Sequence, residues 1–526
     1  MELVSFEDVA GEVGLDFRHG AFQWETGPDP TAMMGGGVCW VDYDRDGWLD
    51  LYAVNTWSEG EWGRWREQGA LPSSRLYRND AGRFVDVTEE IEAGVETRGN
   101  GCVAADLDLD GWTDLYVTTE RANVLLWNDE GKRFLDDAEL LEPSGAAAFG
   151  WHSGAAVGDV DGNGWPDLFV AGYTDLNRPI TSATMGFPNT HEPEHDLLFL
   201  SDGPAGDARV RFRDVASDVG IEPDGADHGL GSVLSDLDAD GDLDLYVAND
   251  TTPNQLYENV AADGSAGFRF VEQGVSAGTG DTGAGMGVAS ADVDGDRLPE
   301  LVTTNQLTER DVVLRNDSDA DLAFVDALPA IGLPELGVGS TGWGASWIDA
   351  DLDTDLDLFV GHGAIPVRDL TDDREPSQLL ENQGVDGFGD VSADVGLEAV
   401  GPRLGRGVAA ADFDNDGDMD IAMGTIGGDI VLLRNSGAGG TWLEVATEAP
   451  APGAVVTVEL PDGGVLRREL VAGGSYLSSE DPRAHFGLGG ADRVASVTVV
   501  WPDGTTVIRA DVDVDQILRV DHGDAA

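Results

Sequence analysis

The chain has 526 residues, and 100 Asp and Glu against 30 Lys and Arg leave a formal net charge of −70. A surface this negative repels phosphate backbones and anionic lipid, which excludes nucleic-acid binding and attachment to an acidic membrane face. No apolar run approaches the ~20 residues that cross a bilayer as a helix, so no membrane insertion is expected.

The opening Met-Glu-Leu-Val-Ser-Phe-Glu-Asp has neither a basic region nor an apolar stretch, so no signal peptide is expected in the chain as it stands. From residue 42 onward the acid gathers into one recurring phrase. It first places Asp42, Asp44, Asp46 and Asp50, then Asp106, Asp108, Asp110 and Asp114. The third copy has Asp159, Asp161, Asn163 and Asp167, and the fourth has Asp236, Asp238, Asp240 and Asp244. Asp292, Asp294, Asp296 and Glu300 follow, then Asp349, Asp351, Asp353 and Asp357, and finally Asp412, Asp414, Asp416 and Asp420. These are positions 1, 3, 5 and 9 of seven loops spaced by 64, 53, 77, 56, 57 and 63 residues. Of the 28 side chains, 27 are carboxylates, so roughly a quarter of the acid lies at fixed loop positions.

Alternating acids around a tight turn converge on a hard cation, and Ca2+ accepts six to eight oxygens at ~2.3–2.6 Å. Without one, two carboxylates ~5 Å apart repel by roughly 3 kcal/mol at an effective dielectric near 20. Up to seven Ca2+ are expected; Mg2+ keeps its waters and is disfavoured. The flanks, Gly-Val-Cys-Trp-Val before Asp42 and Leu-Tyr-Ala-Val after Asp50, are strand-like, which excludes an EF-hand. The competing reading is a set of acidic turns on a salt-adapted protein, and a single Lys (Lys132) against 29 Arg suits such an origin. Three loops depart from the pattern, through Asn163, through Arg297 and Glu300, and through Thr354 in place of Gly.

Each unit supplies four strands: a Gly-rich strand into the loop, an apolar strand out of it, a third ending as in Leu76-Tyr-Arg-Asn79, and a fourth beginning with Phe, as at Phe84. Four strands per ~55 residues predict propeller blades. No Phe strand follows Ile430–Asn435, but Phe6-Glu-Asp-Val9 supplies one, so the N-terminal strand is expected to complete the last blade. The fold class is all-β: a seven-bladed β-propeller over residues 1–437, a linker at 438–441, and a small sandwich-like β domain over 442–526. Five residues before each loop stands Gly, from Gly37 to Gly407, as suits crowded inner strands. The neighbouring positions form a collar of Arg98, Trp151, His152, His228, Trp343 and Arg406, expected either to contact a ligand or to plug the channel. Cys39 and Cys102 fall three and four residues before their loops, on opposite strand faces, and read as separate buried side chains. The insertion 173–196, with His191-Glu-Pro-Glu-His195, reads as a surface loop because Pro193 breaks any helix there.

The tail alternates as short strands, and its motifs Gly474-Ser-Tyr-Leu-Ser-Ser479, His485-Phe-Gly-Leu-Gly489 and Trp501-Pro-Asp-Gly504 are similar to the ASPIC/UnbV domain. The seven loops look like FG-GAP/VCBS repeats of integrin α-subunit propellers. Together they resemble the cartilage acidic protein family, although the usual entry to the tail domain is shortened here to Pro450-Ala-Pro-Gly453. That resemblance implies an extracellular calcium-binding protein acting in adhesion or matrix contact. The expected function is therefore a calcium-stabilised scaffold for a glycan or extracellular protein partner, with no catalytic residues assigned. The alternative is a Ca2+-assisted enzyme, lyase-like or a cyclase, using Trp151, His152, His228 and Arg406.

Overall fold

The computed structural model describes residues 4–524 except 141–142, 184, 205–208, 224, 265, 319–321, 334–335, 438 and 449. The ends of the two expected domains (1–3 and 525–526) and the first linker residue, 438, thus lie outside the described residues. Strands dominate, and ten sheets are formed among the described residues. Seven share one plan. In the first, Val38–Val41, Asp50–Ala53, Arg75–Asn79 and Phe84–Asp86 pair antiparallel in chain order. In the seventh, the outer place beside Val431–Asn435 is taken by Phe6–Asp8, with Phe6 opposite Asn435.

The inner strands touch in a closed cycle. Val38–Val41 meets Gly99–Ala105, followed by His152–Gly158, Gly229–Ser235, Val288–Ala291, Gly342–Ile348 and Gly405–Ala411, which returns to Val38–Val41. Alternation in each strand gives every sheet two apolar faces. Successive sheets therefore bury a cluster between them: Val41 and Leu115 in one, Phe169 and Leu245 in another, Trp40 and Phe413 where seventh meets first.

Cys39 and Cys102 form a disulfide, with Cα atoms 6.2 Å apart, contrary to the expectation of two separate thiols. Opposite faces of successive sheets look at each other, so the parity that separates two cysteines within one strand brings them together across a sheet boundary.

The tail builds a three-stranded sheet, Ala484–Gly487 beside Trp442–Ala446 beside Gln516–Arg519, and a four-stranded one of Val465–Glu469, Val455–Glu459, Arg493–Val500 and Thr506–Asp513. The two share one apolar core around Val456, Phe486 and Val497. Residues 472–483 leave these sheets and enter the centre of the ring. Ala472–Gly473 adds a strand to the third sheet. Ser475 O then accepts Val288 N–H (2.7 Å), Leu477 O accepts Cys102 N–H (3.1 Å), and Ser479 O accepts Trp40 N–H (3.1 Å). Asp481 N–H donates to Ala410 O (2.9 Å). One segment thus binds the inner strands of five sheets. The recurring inner Gly residues leave room for it: a Cβ at Gly101 would lie 2.7 Å from Leu477 Cβ, and one at Gly407 would lie 2.5 Å from Ser478 Oγ. Sequence reading placed the tail beside the ring and missed this insertion.

Tyr476, fully buried, lies edge-on to Trp343 at 4.8 Å and donates its hydroxyl to Met34 O (2.9 Å). Replacing it with Ala opens a cavity at the centre of the ring and leaves that carbonyl unpaired. Tyr476→Ala is expected to cost about 3–5 kcal/mol, measured by denaturant unfolding; a loss within experimental error would show that the segment does not support the ring.

Candidate functional site

Each acidic loop joins an inner strand to the second strand, so all seven lie on one face of the ring, the face that receives the tail. Their shape is set by their own carboxylates. At position 1, Asp42 accepts the N–H groups of Asp46 and Gly47 at 3.1 Å each, and Asp106, Asp159, Asp349 and Asp412 do likewise. At position 5 every loop accepts the N–H of position 7, as Asp46 does from Trp48 (2.9 Å). Positions 4 and 6 take positive φ throughout. Gly fills position 6 in five loops, yet Arg297 (φ 84°) and Thr354 (φ 93°) adopt it too, against the steric preference of L-residues.

Position 9 is a structural staple in all seven loops. One oxygen of Asp50 accepts Tyr43 N–H (3.1 Å) within the loop, and the other accepts Asn79 N–H (2.7 Å) from the third strand. Asp114, Asp167, Asp244, Glu300, Asp357 and Asp420 repeat both bonds. The third-strand Asn then reaches across sheets: Asn79 Nδ2 donates to Phe413 O in the seventh sheet, and Asn128 Nδ2 to Tyr43 O in the first. Asn259, Asn316 and Asn435 make the same bridge. Sequence reading saw these Asn residues only as strand ends; their recurrence was the available signal.

Position 3 accepts one loop N–H in the third, fourth and fifth loops and is left over in three others. Asp44 Oδ1, Asp108 Oδ1 and Asp414 Oδ1, with Asp236 Oδ1 at position 1, are buried with no hydrogen-bond partner. A buried carboxylate oxygen without a donor is costly. Ligand oxygens of Asp42, Asp44 and Asp50 lie within 4.8 Å of one another, as do those of Asp106, Asp108 and Asp114, of Asp159, Asp161 and Asp167, of Asp236, Asp238 and Asp240, and of Asp292, Asp294 and Glu300. These clusters could hold metal ions, and their all-oxygen donor set suits a hard cation.

Burial is the leading cause of raised carboxyl pKa values here, with neighbouring carboxylates adding to it. Asp42, Asp108, Asp238, Asp351 and Asp414 are pushed up to about 6. Asp106, Asp349 and Asp412 rise to about 7, and Asp167 and Glu300 to about 8. Asp50, Asp114, Asp244, Asp357 and Asp420 lie well above the carboxylate range.

The collar residues are buried, and of the six only Arg406 and Trp343 engage each other. Arg406, fully buried, stacks on Trp343 at 3.8 Å and donates to four carbonyls, Met33 O at 2.7 Å among them. Burial lowers its pKa to about 9. Trp151 packs edge-on to Tyr173 (4.8 Å) and stacks with Phe187 from the 173–196 insertion (5.9 Å). That insertion contains the paired strands Thr174–Pro179 and His191–Pro193. His152, lowered to about 4 by burial, meets Asn123 at 3.0 Å, and His228 Nδ1 meets Tyr173 O at 2.8 Å. Arg98 pairs with Asp29 and with Glu120 (2.6 Å). Arg406, Trp343 and Tyr476 lie together around the axis, while Arg98 stands apart with its acids.

Seven acidic loops on one face of a ring of antiparallel sheets define a class of repeat protein. Residues 42–117, 106–170 and 236–303 match the FG-GAP-like repeat, and 444–526 match the ASPIC and UnbV domain. The chain is 28% identical over 451 residues to human cartilage acidic protein 1, covering 81% of this chain and 64% of that protein. The mouse protein matches at the same identity, with 65% of its length covered, and the Xenopus tropicalis protein at 26%. The chain thus carries FG-GAP-like repeats and an ASPIC and UnbV tail and is similar to cartilage acidic protein 1, and it spans less than two thirds (64–65%) of the relatives it matches. Solved structures resembling it include an Agrocybe aegerita lectin recognising terminal N-acetylglucosamine, at 16% identity and TM-score 0.38 over 68% of this chain and 79% of that one. Rhamnogalacturonan lyase YesW follows at 12% and 0.35, over 76% and 71%. No helix among the described residues is long and apolar enough to cross a membrane.

A carboxyl whose pKa is higher in the fold than in the unfolded chain (~3.9) favours folding while protonated. That contribution is lost as pH rises toward the folded values of about 6 to 8. In chelator the melting temperature is therefore expected to fall between about pH 4 and pH 8. With excess calcium, which binds the ionised form, the stabilisation by metal should grow over the same range. Parallel slopes in the two series would show that the loops do not bind the ion.

Proposed function

We propose that the chain is an extracellular, calcium-stabilised seven-bladed β-propeller, closed by its N-terminal strand, that serves as a recognition scaffold for a glycan or protein partner. The observation that carries this reading is the set of loops: each is pre-shaped by backbone hydrogen bonds, and buried carboxylate oxygens are left without partners. The cyclic contact of inner strands and the pairing of Phe6–Asp8 support the ring. A buried disulfide suits an oxidising compartment, and extracellular loops of this kind fill at ~10⁻⁴–10⁻³ M calcium.

The face opposite the tail offers the recognition surface. Helix Trp62–Gln68 has no buried residue, yet it is firmly seated, because buried Glu61 accepts the N–H groups of Gln23, Trp24 and Glu25. It presents Trp62 (49% exposed) under Arg66, and Trp65 against Trp24 (38% exposed), over which Arg64 lies. Trp and Arg are the residues that dominate binding energy at interfaces. The enzymatic alternative has less support, since Trp151, His152, His228 and Arg406 are engaged within the fold and Tyr476 occupies the channel.

Glycan-array and pull-down binding, run with calcium and then with chelator, tests the reading. Binding should require calcium and fall at least tenfold in the Trp24→Ala, Trp62→Ala double variant with its melting temperature unchanged. Binding indifferent to both would overturn the scaffold reading, and turnover of a polyanionic sugar would favour the enzyme.

A further inference from the structure

The seven loops are not alike in what the tail brings to them. The second and third border an open cleft of about 500 Å3, lined by Asp106, Asp110, Asp159, Trp165 and Trp501, with no tail guanidinium among its walls. At the seventh, Arg483 donates to Asp412 O (2.8 Å), but its charge is taken by Glu444 (2.9 Å) and Asp481 (2.6 Å) of the tail. At the fourth, Arg467 of the tail favours the ionised form of Asp236, and of Asp292 in the fifth, but its neighbour Glu469 draws on the same charge and accepts Asp236 N–H (3.2 Å).

The fifth and sixth loops are different. Their first acids, Asp292 and Asp349, line a cavity of about 120 Å3 together with Arg468, Ser290 and Ser475. Arg468 lies over the Phe486 ring at 5.3 Å, and its Nη1 donates to Arg467 O (2.9 Å). Its Nη2 is buried with no hydrogen-bond partner, as are the hydroxyls of Ser290 and Ser475. Among the described residues no carboxylate forms an ion pair with Arg468 at 4.0 Å or less, so its charge is not cancelled by a tail acid as that of Arg483 is. Asp349 and Asp292 are the acids that favour its charged form. The same two loops carry Arg297 and Thr354 where the other five have Gly. Two independent features, a departing turn residue and an internal guanidinium, thus fall on the same pair.

We propose that Arg468 is a built-in counter-cation shared by the fifth and sixth loops, so that these two take calcium more weakly than the other five. The inference rests on the calcium reading above. A guanidinium beside Asp349, with Asp292 on the same small cavity, would supply part of the positive charge that a divalent ion would supply elsewhere. It also repels that ion, since charges in a partly buried cavity are poorly screened. The chain then has a tight class of five sites, and a pair whose fold is maintained without metal by the tail.

Calcium titration by calorimetry on the full chain, with melting temperature in chelator as a second readout, tests this. Wild type should show five tight equivalents and a weaker class. Arg468→Gln should raise the affinity of the weaker class at least tenfold and lower the melting temperature in chelator, whereas Arg468→Lys should keep both as in wild type. Independently of any change in the tail, Asp106→Asn should remove one tight equivalent and Asp292→Asn should leave all five. Seven equal sites unchanged by Arg468→Gln, or loss of a tight equivalent in Asp292→Asn, would overturn the inference alone. Absence of any calcium binding would overturn the calcium reading and the inference together.

Discussion

Carboxylates held a few ångströms apart by a folded backbone need positive charge close by, and twenty-seven of them occupy the fixed positions of the seven loops. Amide dipoles are the first source: position 1 draws two N–H groups, position 5 one, and position 9 two more. Guanidinium groups of the tail are the second, reaching Asp412 through Arg483 and Asp292 with Asp349 through Arg468. Position 3 is served least: it accepts one loop N–H in the third, fourth and fifth loops, and one of its oxygens stays buried and unpartnered in the first, second and seventh. A divalent cation is the remaining candidate, and a loop already shaped by its own hydrogen bonds would have little ordering entropy to lose on binding one.

A ring of seven inner strands also leaves a hole along its axis, and here the chain fills it with itself. The segment 472–483 bonds to five inner strands, and Tyr476 and Leu477 join Trp343, Trp151 and Met286 in one central apolar cluster. Ring and tail are consequently joined through this segment, which runs between the tail strands Val465–Glu469 and Ala484–Gly487. Inner Gly residues are needed for that contact as much as for strand crowding: at Gly37, Gly101 and Gly407 the atoms nearest a hypothetical side chain include those of Leu477 and Ser478.

Local pattern carried most of the architecture. Strand order within each sheet, the loop positions and the pairing of Phe6–Asp8 all follow from repeats visible along the chain. The disulfide did not, because parity was judged within one strand while Cys39 and Cys102 meet across two sheets. The plug did not either: Gly473-Gly474-Ser475-Tyr476-Leu477 reads as a turn-rich connection, and only the ring's inner surface explains why Ser475 and Leu477 take positive φ. Of the collar positions, His152, Trp343 and Arg406 lie in inner strands and Arg98, Trp151 and His228 just before them, and their partners, such as the carbonyls around Arg406, come from backbone far away in sequence. A one-dimensional pattern specifies which side of a strand a residue faces, not what arrives opposite it.

Thr354 separates shape from charge in this fold. A β-branched residue at φ 93° carries strain of about 1–3 kcal/mol, and the sixth loop nevertheless keeps the geometry of the others, with Asp349 accepting Asp353 and Thr354 N–H at 3.0 Å each. The turn is therefore imposed by the staples at positions 1 and 9 rather than by Gly at position 6. Once shape is fixed in this way, the charge that neutralises a loop is free to vary from sheet to sheet. On the calcium reading, a tail guanidinium at the fifth and sixth loops and an inorganic cation elsewhere would be two solutions to the same electrostatic demand on one backbone.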